Sequence, residues 1–303
     1  MLLALRVEVD SLAAAHHALP SLLTTLQTTG AEASFFINLG PDRAARSGGP
    51  LFQVGESKLQ RQLNRKQAGP KGMARLYGLL MPAPQLHKEA KQTLQSIAAA
   101  GFETGLLAWD RVSWVREIAG ASEAWVEEEL KAGLFAFEQL FGERAKGLAL
   151  PQWRSNRAAF RLAQRLGFDY LSASRGSRPH LAVVEGEPVN LAQLPTTLPT
   201  LSELIGAEGC DEQGAVEHLL KLTQSVPLTG HVFTIQLSAD GSKRLPLLAQ
   251  LFAAWQAQGH ELSSLGKLHR FQQRDALPWH AVQQQAWPGY QGLLTVQGAA
   301  FPN

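Results

Sequence analysis

Cysteine is nearly absent. Cys210 stands alone among 303 residues, so no intrachain disulfide can form, and with no second thiol or suitably spaced histidine no cysteine-based zinc site is built around it. A reducing compartment suits such a chain. Net charge is missing as well: 28 basic side chains against 26 acidic ones leave +2 at pH 7. Bulk electrostatics then give no hold on a nucleic acid, and none is expected as a partner. No window approaches the roughly 18 apolar residues of a membrane-spanning helix, and Met1 to Asp10 carries no charged leader followed by an apolar stretch. The expectation is a cytoplasmic protein whose membrane contact, where it has any, is peripheral at the inner face. Internal repeats are lacking too.

The chain is rich in alternation. Leu3 to Val9 reads as a buried strand and Ser11 to Gly30 as a helix; Ala33 to Asn38 is a second strand. Leu86 to Ala100 is helical and stops at Gly101, and Thr104 to Ala108 follows as a strand. Ser122 to Phe141 places Trp125, Val126, Leu130, Leu134, Phe137 and Phe141 at helical spacing. Strands at Gly147 to Leu150 and Asp169 to Ser172 flank a helix at Asn156 to Leu166, and Ala192 to Leu194 is a weaker strand. The chain continues with a helix at Glu212 to Gln224, a strand at His231 to Leu237 and a helix at Arg244 to Gln258. This order predicts an α/β fold with a mainly parallel sheet, either open or closed into a barrel, in one domain over 1–303. Ligands in such folds gather at the carboxyl ends of the strands.

Two segments stand outside the alternation. The insertion at about 41–85 interleaves Arg61, Arg65, Lys66, Lys71 and Arg75 with apolar residues and Tyr77. Basic and bulky apolar residues together suit an interface with anionic lipid; a solvated loop or a partner-binding arm is the alternative. The tail at about 277–303 carries Trp279, Trp287 and Tyr290. It reads as a packed cap over the sheet, or as an interface.

Arg6-Val7-Glu8-Val9-Asp10-Ser11 and Ala33-Ser34-Phe35-Phe36-Ile37-Asn38-Leu39-Gly40-Pro41-Asp42, followed by Gly105-Leu106-Leu107-Ala108-Trp109-Asp110-Arg111, then Trp153-Arg154, Ser174-Arg175-Gly176, Gln193 to Thr200 and Val232 to Gln236, resemble the NodB-homology polysaccharide deacetylase family. The similarity is strongest to its branch that deformylates undecaprenyl-phosphate-linked formamido-arabinose. The matches span most of the chain in the family's order. The resemblance implies a distorted (β/α) barrel of about seven parallel strands.

It also implies a chemistry: a divalent metal such as zinc held by one Asp and two His, an Asp base and a His acid. The base position corresponds to Glu8 and the metal carboxylate to Asp10. The two imidazole ligands correspond to Leu107 and Arg111, the acid to Gln236, and an orienting Asp to Ala173. Leucine has no donor atom, arginine brings a permanent cation to the place of a dication, and glutamine donates no titrating proton near neutrality. No metal is therefore expected, since zinc takes three protein ligands in catalytic sites. A salt bridge from Arg111 to Asp10 is expected in its place. His16 and His17 diverge on their helix and are read as surface residues. Trp109, Asp110, Trp153, Arg154 and Arg175 persist and are candidates for lining a substrate pocket.

Three functions are compatible with this pattern. The first is a non-catalytic partner or regulatory subunit, in a heteromer with an active lipid-linked amino-sugar deacetylase or deformylase. The second is a stand-alone binding protein for a polyprenyl-phosphate sugar. The third is an amide hydrolase with a non-standard site.

Overall fold

The computed structural model describes residues 1–43, 82–207, 210–225, 227, 229–241, 243–272 and 276–301. Arg61, Arg65, Lys66, Lys71, Arg75 and Tyr77 lie outside them. The first strand, β1 (Leu2–Val9), explains the architecture. It is buried along nearly its whole length, yet its residues alternate in character. Leu3, Leu5, Val7 and Val9 join the larger apolar cluster, whereas Ala4 joins a smaller one and Arg6 and Glu8 stand between them in sequence. A strand covered on both faces is the mark of a parallel sheet sheathed by helices.

Strands β2 (Ser34–Ile37), β3 (Glu103–Leu107), β4 (Gly147–Ala149), β5 (Tyr170–Ser172), β6 (His180–Val184), β7 (Glu187–Gln193), β8 (His231–Gln236), β9 (Glu261–Ser263), β10 (Trp279–Ala286) and β11 (Leu293–Ala300) complete one sheet among the described residues. Its order is β11-β10-β6-β7-β5-β4-β3-β2-β1-β8, with β9 on β1. β8, β1, β2, β3, β4, β5 and β7 form a run of seven mutually parallel strands. The seam between β7 and β8 is bridged by the loop that leaves β7. There the N–H groups of Thr197 and Leu198 donate to the Val232 carbonyl at 3.1 and 3.2 Å, and the Val232 N–H donates to Thr197 Oγ1 at 2.9 Å. The fold is the distorted (β/α) barrel that the resemblance implies, where the alternation alone left an open sheet and a barrel equally compatible.

Helices α1 (Leu19–Thr29), α2 (Lys91–Ala99), α3 (Arg111–Glu117), α4 (Glu123–Phe141), α5 (Arg157–Arg165), α6 (Glu212–Leu222), α7 (Leu245–Ala257) and α8 (Leu265–Phe271) complete the chain's main elements. Several differ from the sequence expectation. The helix expected from Ser11 begins as a π-turn at Ala14–Ala18, on which His16 and His17 are exposed. The helix expected over Leu86 to Ala100 breaks at Ala90. The strand expected at Ala192 to Leu194 starts at Glu187, because Glu185 and Gly186 both take positive φ (51° and 82°). Two such residues make the tight connection that matches strand twist, and they fold β6 back on β7 as a hairpin. The aromatic tail is a second hairpin, β10–β11, added beside β6.

Inside the barrel, Gly105 leaves no room for a side chain. A Cβ there would fall 2.7 Å from the Phe36 ring and 2.9 Å from the Gly147 carbonyl oxygen, and backbone yields less readily than a side chain. Gly105→Ala is expected to destabilise the fold by roughly 1–3 kcal/mol through overpacking. Chemical denaturation checks this, and an unchanged midpoint counts against a filled interior.

Candidate functional site

The barrel's interior is organised around a buried cation. Arg6 has no exposed surface. Its Nη2 lies 2.8 Å from Glu8 Oε1, and its guanidinium donates to Thr234 Oγ1 and to the Leu150 carbonyl, both at 3.3 Å. The guanidinium carbon is 5.9 Å from the centre of the Phe36 ring and 5.4 Å from that of Trp153. Beyond Trp153 comes the Arg175 guanidinium at 4.9 Å, which in turn lies 5.1 Å from Trp287. Phe36, Arg6, Trp153, Arg175 and Trp287 thus form a series of alternating rings and cations, each contact within cation–π range. Trp153 Nε1 donates to Thr196 Oγ1 at 2.9 Å. Arg175 donates to the Leu198 carbonyl at 3.0 Å and pairs with Glu203 at 3.2 Å. Gln152 and Trp153 carry φ near 50°, a costly backbone state for bulky residues that the surrounding contacts hold in place.

Glu8 is 1% exposed, and no hydrogen bond reaches its oxygens beyond the Arg6 ion pair. Burial pushes its carboxyl above the usual range, with Arg6 and Arg111 acting in the opposite direction. Two residues on, Asp10 accepts from the Ser238 N–H at 3.2 Å and from Ser238 Oγ at 2.6 Å. Arg111 Nη2 lies 3.8 Å from Asp10 Oδ2, which is the pairing expected from the sequence. Ser238 is a member of the site that sequence reasoning missed, since nothing in its neighbourhood marks a contact made across 228 positions.

Leu107 is fully buried in the smaller apolar cluster with Phe36, Ala149 and Tyr170. Asp10, Leu107 and Arg111 therefore offer one carboxylate, a hydrocarbon and a guanidinium, and this donor set does not fit a divalent cation. Among the described residues no group of three or more His, Cys, Asp or Glu is placed so that it could hold a metal ion. Gln236 is half-buried, and its N–H donates to Asp240 at 3.0 Å. Asp240 is fully buried and bonded to Arg244 at 2.9 Å. Burial pushes its carboxyl up to about 6, against the pull of Arg244.

Four candidate positions need correction. Ala173 packs in the larger apolar cluster with Leu171, so strand alternation turns it away from the interior that Tyr170 enters. Asp110 is the N-cap of α3: its carboxylate accepts from the N–H groups of Val112 and Ser113 at 3.1 Å. It is also 2.5 Å from Arg43, and is committed to the fold instead of facing a ligand. Trp153 and Arg175, at 0% and 4% exposure, present no open face for stacking or for anion binding. Trp109 and Arg154 remain half-buried. The Trp109 ring lies 5.6 Å from His87, and Arg154 donates to the Val115 carbonyl at 2.8 Å. The tail packs as a cap, with Tyr290 5.7 Å from Trp153 and Trp287 over Arg175.

No family model matches the chain. It is 30% identical over 249 residues, 82% of its own length and 78% of the relative's, to a probable 4-deoxy-4-formamido-L-arabinose-phosphoundecaprenol deformylase (ArnD) of Shewanella sediminis. A presumed polysaccharide deacetylase of Mycobacterium smegmatis shares the fold, with a TM-score of 0.61, 16% identity and 94% of each chain covered. A CE4 family pseudoenzyme of Bacillus anthracis also shares it, with a TM-score of 0.52 at 11% identity, covering 88% of this chain and 65% of that one.

One acid near the site titrates in the neutral range. Glu129 on α4 accepts the Asp110 N–H at 3.0 Å, and burial pushes its carboxyl up to about 7 from an ordinary 4.5. A raised carboxyl favours the protonated native state, so ionisation works against folding and stability falls as pH rises through this window. Because the side chain is partly exposed, the full conversion of the shift is discounted to roughly 1–2 kcal/mol. Glu129→Gln, which keeps an acceptor, is expected to match the parent near pH 4.5 and to exceed its stability by that amount at about pH 8. A difference that stays constant with pH would show that Glu129 does not titrate this way.

Proposed function

On the premise that the chain belongs to the NodB-homology polysaccharide deacetylase family and is related within it to the ArnD deformylases, we propose that it is a catalytically degenerate member. In this reading it serves as a non-catalytic partner or regulatory subunit of an active lipid-linked amino-sugar deacetylase or deformylase. The observation that carries the proposal is the Arg111 guanidinium set against Asp10, with Leu107 buried at the other imidazole position. A divalent ion at Asp10 would have to displace a fixed cation and would find no imidazole.

The retained carboxylates are consistent with this. Each is neutralised from within the chain, Glu8 by Arg6 and Asp10 by Arg111, so both have a structural reason to persist without a metal. A hydrolase using Glu8 as a base would need a water beside a carboxylate that is buried and paired with Arg6. A stand-alone receptor for a polyprenyl-phosphate sugar would draw on Trp153 and Arg175, whose faces are occupied. Among the described residues no helix is long and apolar enough to cross a membrane. We assign contact with a lipid phosphate or the membrane surface to Arg61, Arg65, Lys66, Lys71, Arg75 and Tyr77.

Reconstruction tests the proposal. The combined Leu107→His and Arg111→His variant is expected to bind one more equivalent of zinc per chain than the parent, read by calorimetry. The parent is expected to leave a formylated amino-sugar lipid unhydrolysed while co-purifying with a histidine-complete relative. Turnover by the parent above the uncatalysed rate, or no association with such a relative, overturns it.

A further inference from the structure

Away from Asp10, Leu107 and Arg111, strands β6, β7 and β10 bring together two imidazoles and an amide. His180 opens β6 and is fully buried. Gln193, also fully buried, is its register partner on β7, and directly opposed residues place their side chains on the same face of a sheet. His280 on β10 pairs with Ala182, two residues beyond His180 and so on that face as well. The two imidazole rings stand 5.5 Å apart, centre to centre, with their planes at 70°.

The hydrogen bonds determine where the ring protons sit. His180 Nδ1 lies 3.1 Å from the Arg178 carbonyl oxygen and His280 Nδ1 lies 3.0 Å from the Gly298 carbonyl oxygen. A carbonyl only accepts, so each Nδ1 carries the hydrogen and each Nε2 is left with a lone pair. His180 Nε2 is buried without a partner. Gln193 spends its amide N–H on the Leu191 carbonyl at 3.3 Å, which leaves its Oε1 buried and likewise without a donor. A buried lone pair with no proton donor is costly unless an electrophile meets it.

We propose that His180 and His280, with the Gln193 amide oxygen as a weaker third donor, bind one late first-row divalent metal ion. Several features match that chemistry. A ring nitrogen donating to a backbone carbonyl is the usual support behind a ligating imidazole, because it holds the tautomer and the ring orientation. Two imidazoles bound to one ion at about 2.0–2.1 Å have ring centres roughly 5–6 Å apart, which brackets the observed separation. Imidazole ligands suit zinc, copper and nickel over magnesium or calcium. His280 is half-buried, which gives the ion a way in and leaves room for water in the remaining coordination positions.

The test is a zinc titration of the full chain, followed by calorimetry and by NMR of the histidine ring nitrogens. The Nε2 resonances of His180 and His280 are expected to move together and to saturate at one equivalent. His280→Phe should abolish that equivalent, and Asp10→Asn should leave it intact. If zinc moves only exposed histidines such as His16 and His17, or if binding survives in His280→Phe, the proposal fails. The resonances of the unaltered protein decide the matter even where the variant folds poorly. Unmoved His180 and His280 nitrogens would mean that an ordered water, and no metal, joins these lone pairs.

Discussion

A guanidinium sealed inside the barrel is the constraint around which the rest is arranged. Arg6 lies on the first strand with no exposed surface, and an unpaired charge in such a place is prohibitively costly. The chain meets that cost with Glu8 as counter-ion, with a hydroxyl and a carbonyl as acceptors, and with aromatic faces at Phe36 and Trp153. Removing one member of a buried pair of this kind costs roughly 3–5 kcal/mol. Retention of an acid at position 8 therefore has a structural explanation independent of any reaction.

The same logic extends outward. Trp153 carries Arg6 on one contact and Arg175 on another, and Arg175 needs Glu203 and the Trp287 ring from the C-terminal hairpin. The tail is thus tied to the barrel through electrostatics as well as through apolar burial. At the mouth, Arg111 stands against Asp10, and Ser238 occupies that carboxylate's acceptor positions. A fixed guanidinium holds the acid without a metal, but it offers no open coordination position and cannot lower the pKa of a bound water as a metal does.

Much of this was legible along the chain. Strands β1, β2, β3, β4, β5 and β8 and most of the helices followed from short apolar runs and helical spacing, because both depend on local periodicity. The lack of an imidazole at Leu107, Arg111 and Gln236 was equally visible, since donor atoms are a property of residue type. The pairing of Arg111 with Asp10 could be anticipated from the resemblance, which sets both residues at ligand positions of one metal. The hairpin β6–β7 escaped notice although Glu185-Gly186 marked its turn, and β10 was obscured by its three consecutive glutamines.

What the sequence determined by itself is the alternating α/β pattern, the lack of an imidazole at Leu107 and Arg111, and the acidity of Glu8 and Asp10, all of which are properties of single residues or of near neighbours. Only the tertiary structure decided which faces those residues show. It turned Ala173 away from the interior, made Asp110 a helix cap, buried Trp153 and Arg175 in a stack, and brought Ser238 to Asp10 and His280 to His180. These are meetings between residues far apart in the chain, and they depend on strand register and barrel closure, which no local pattern encodes.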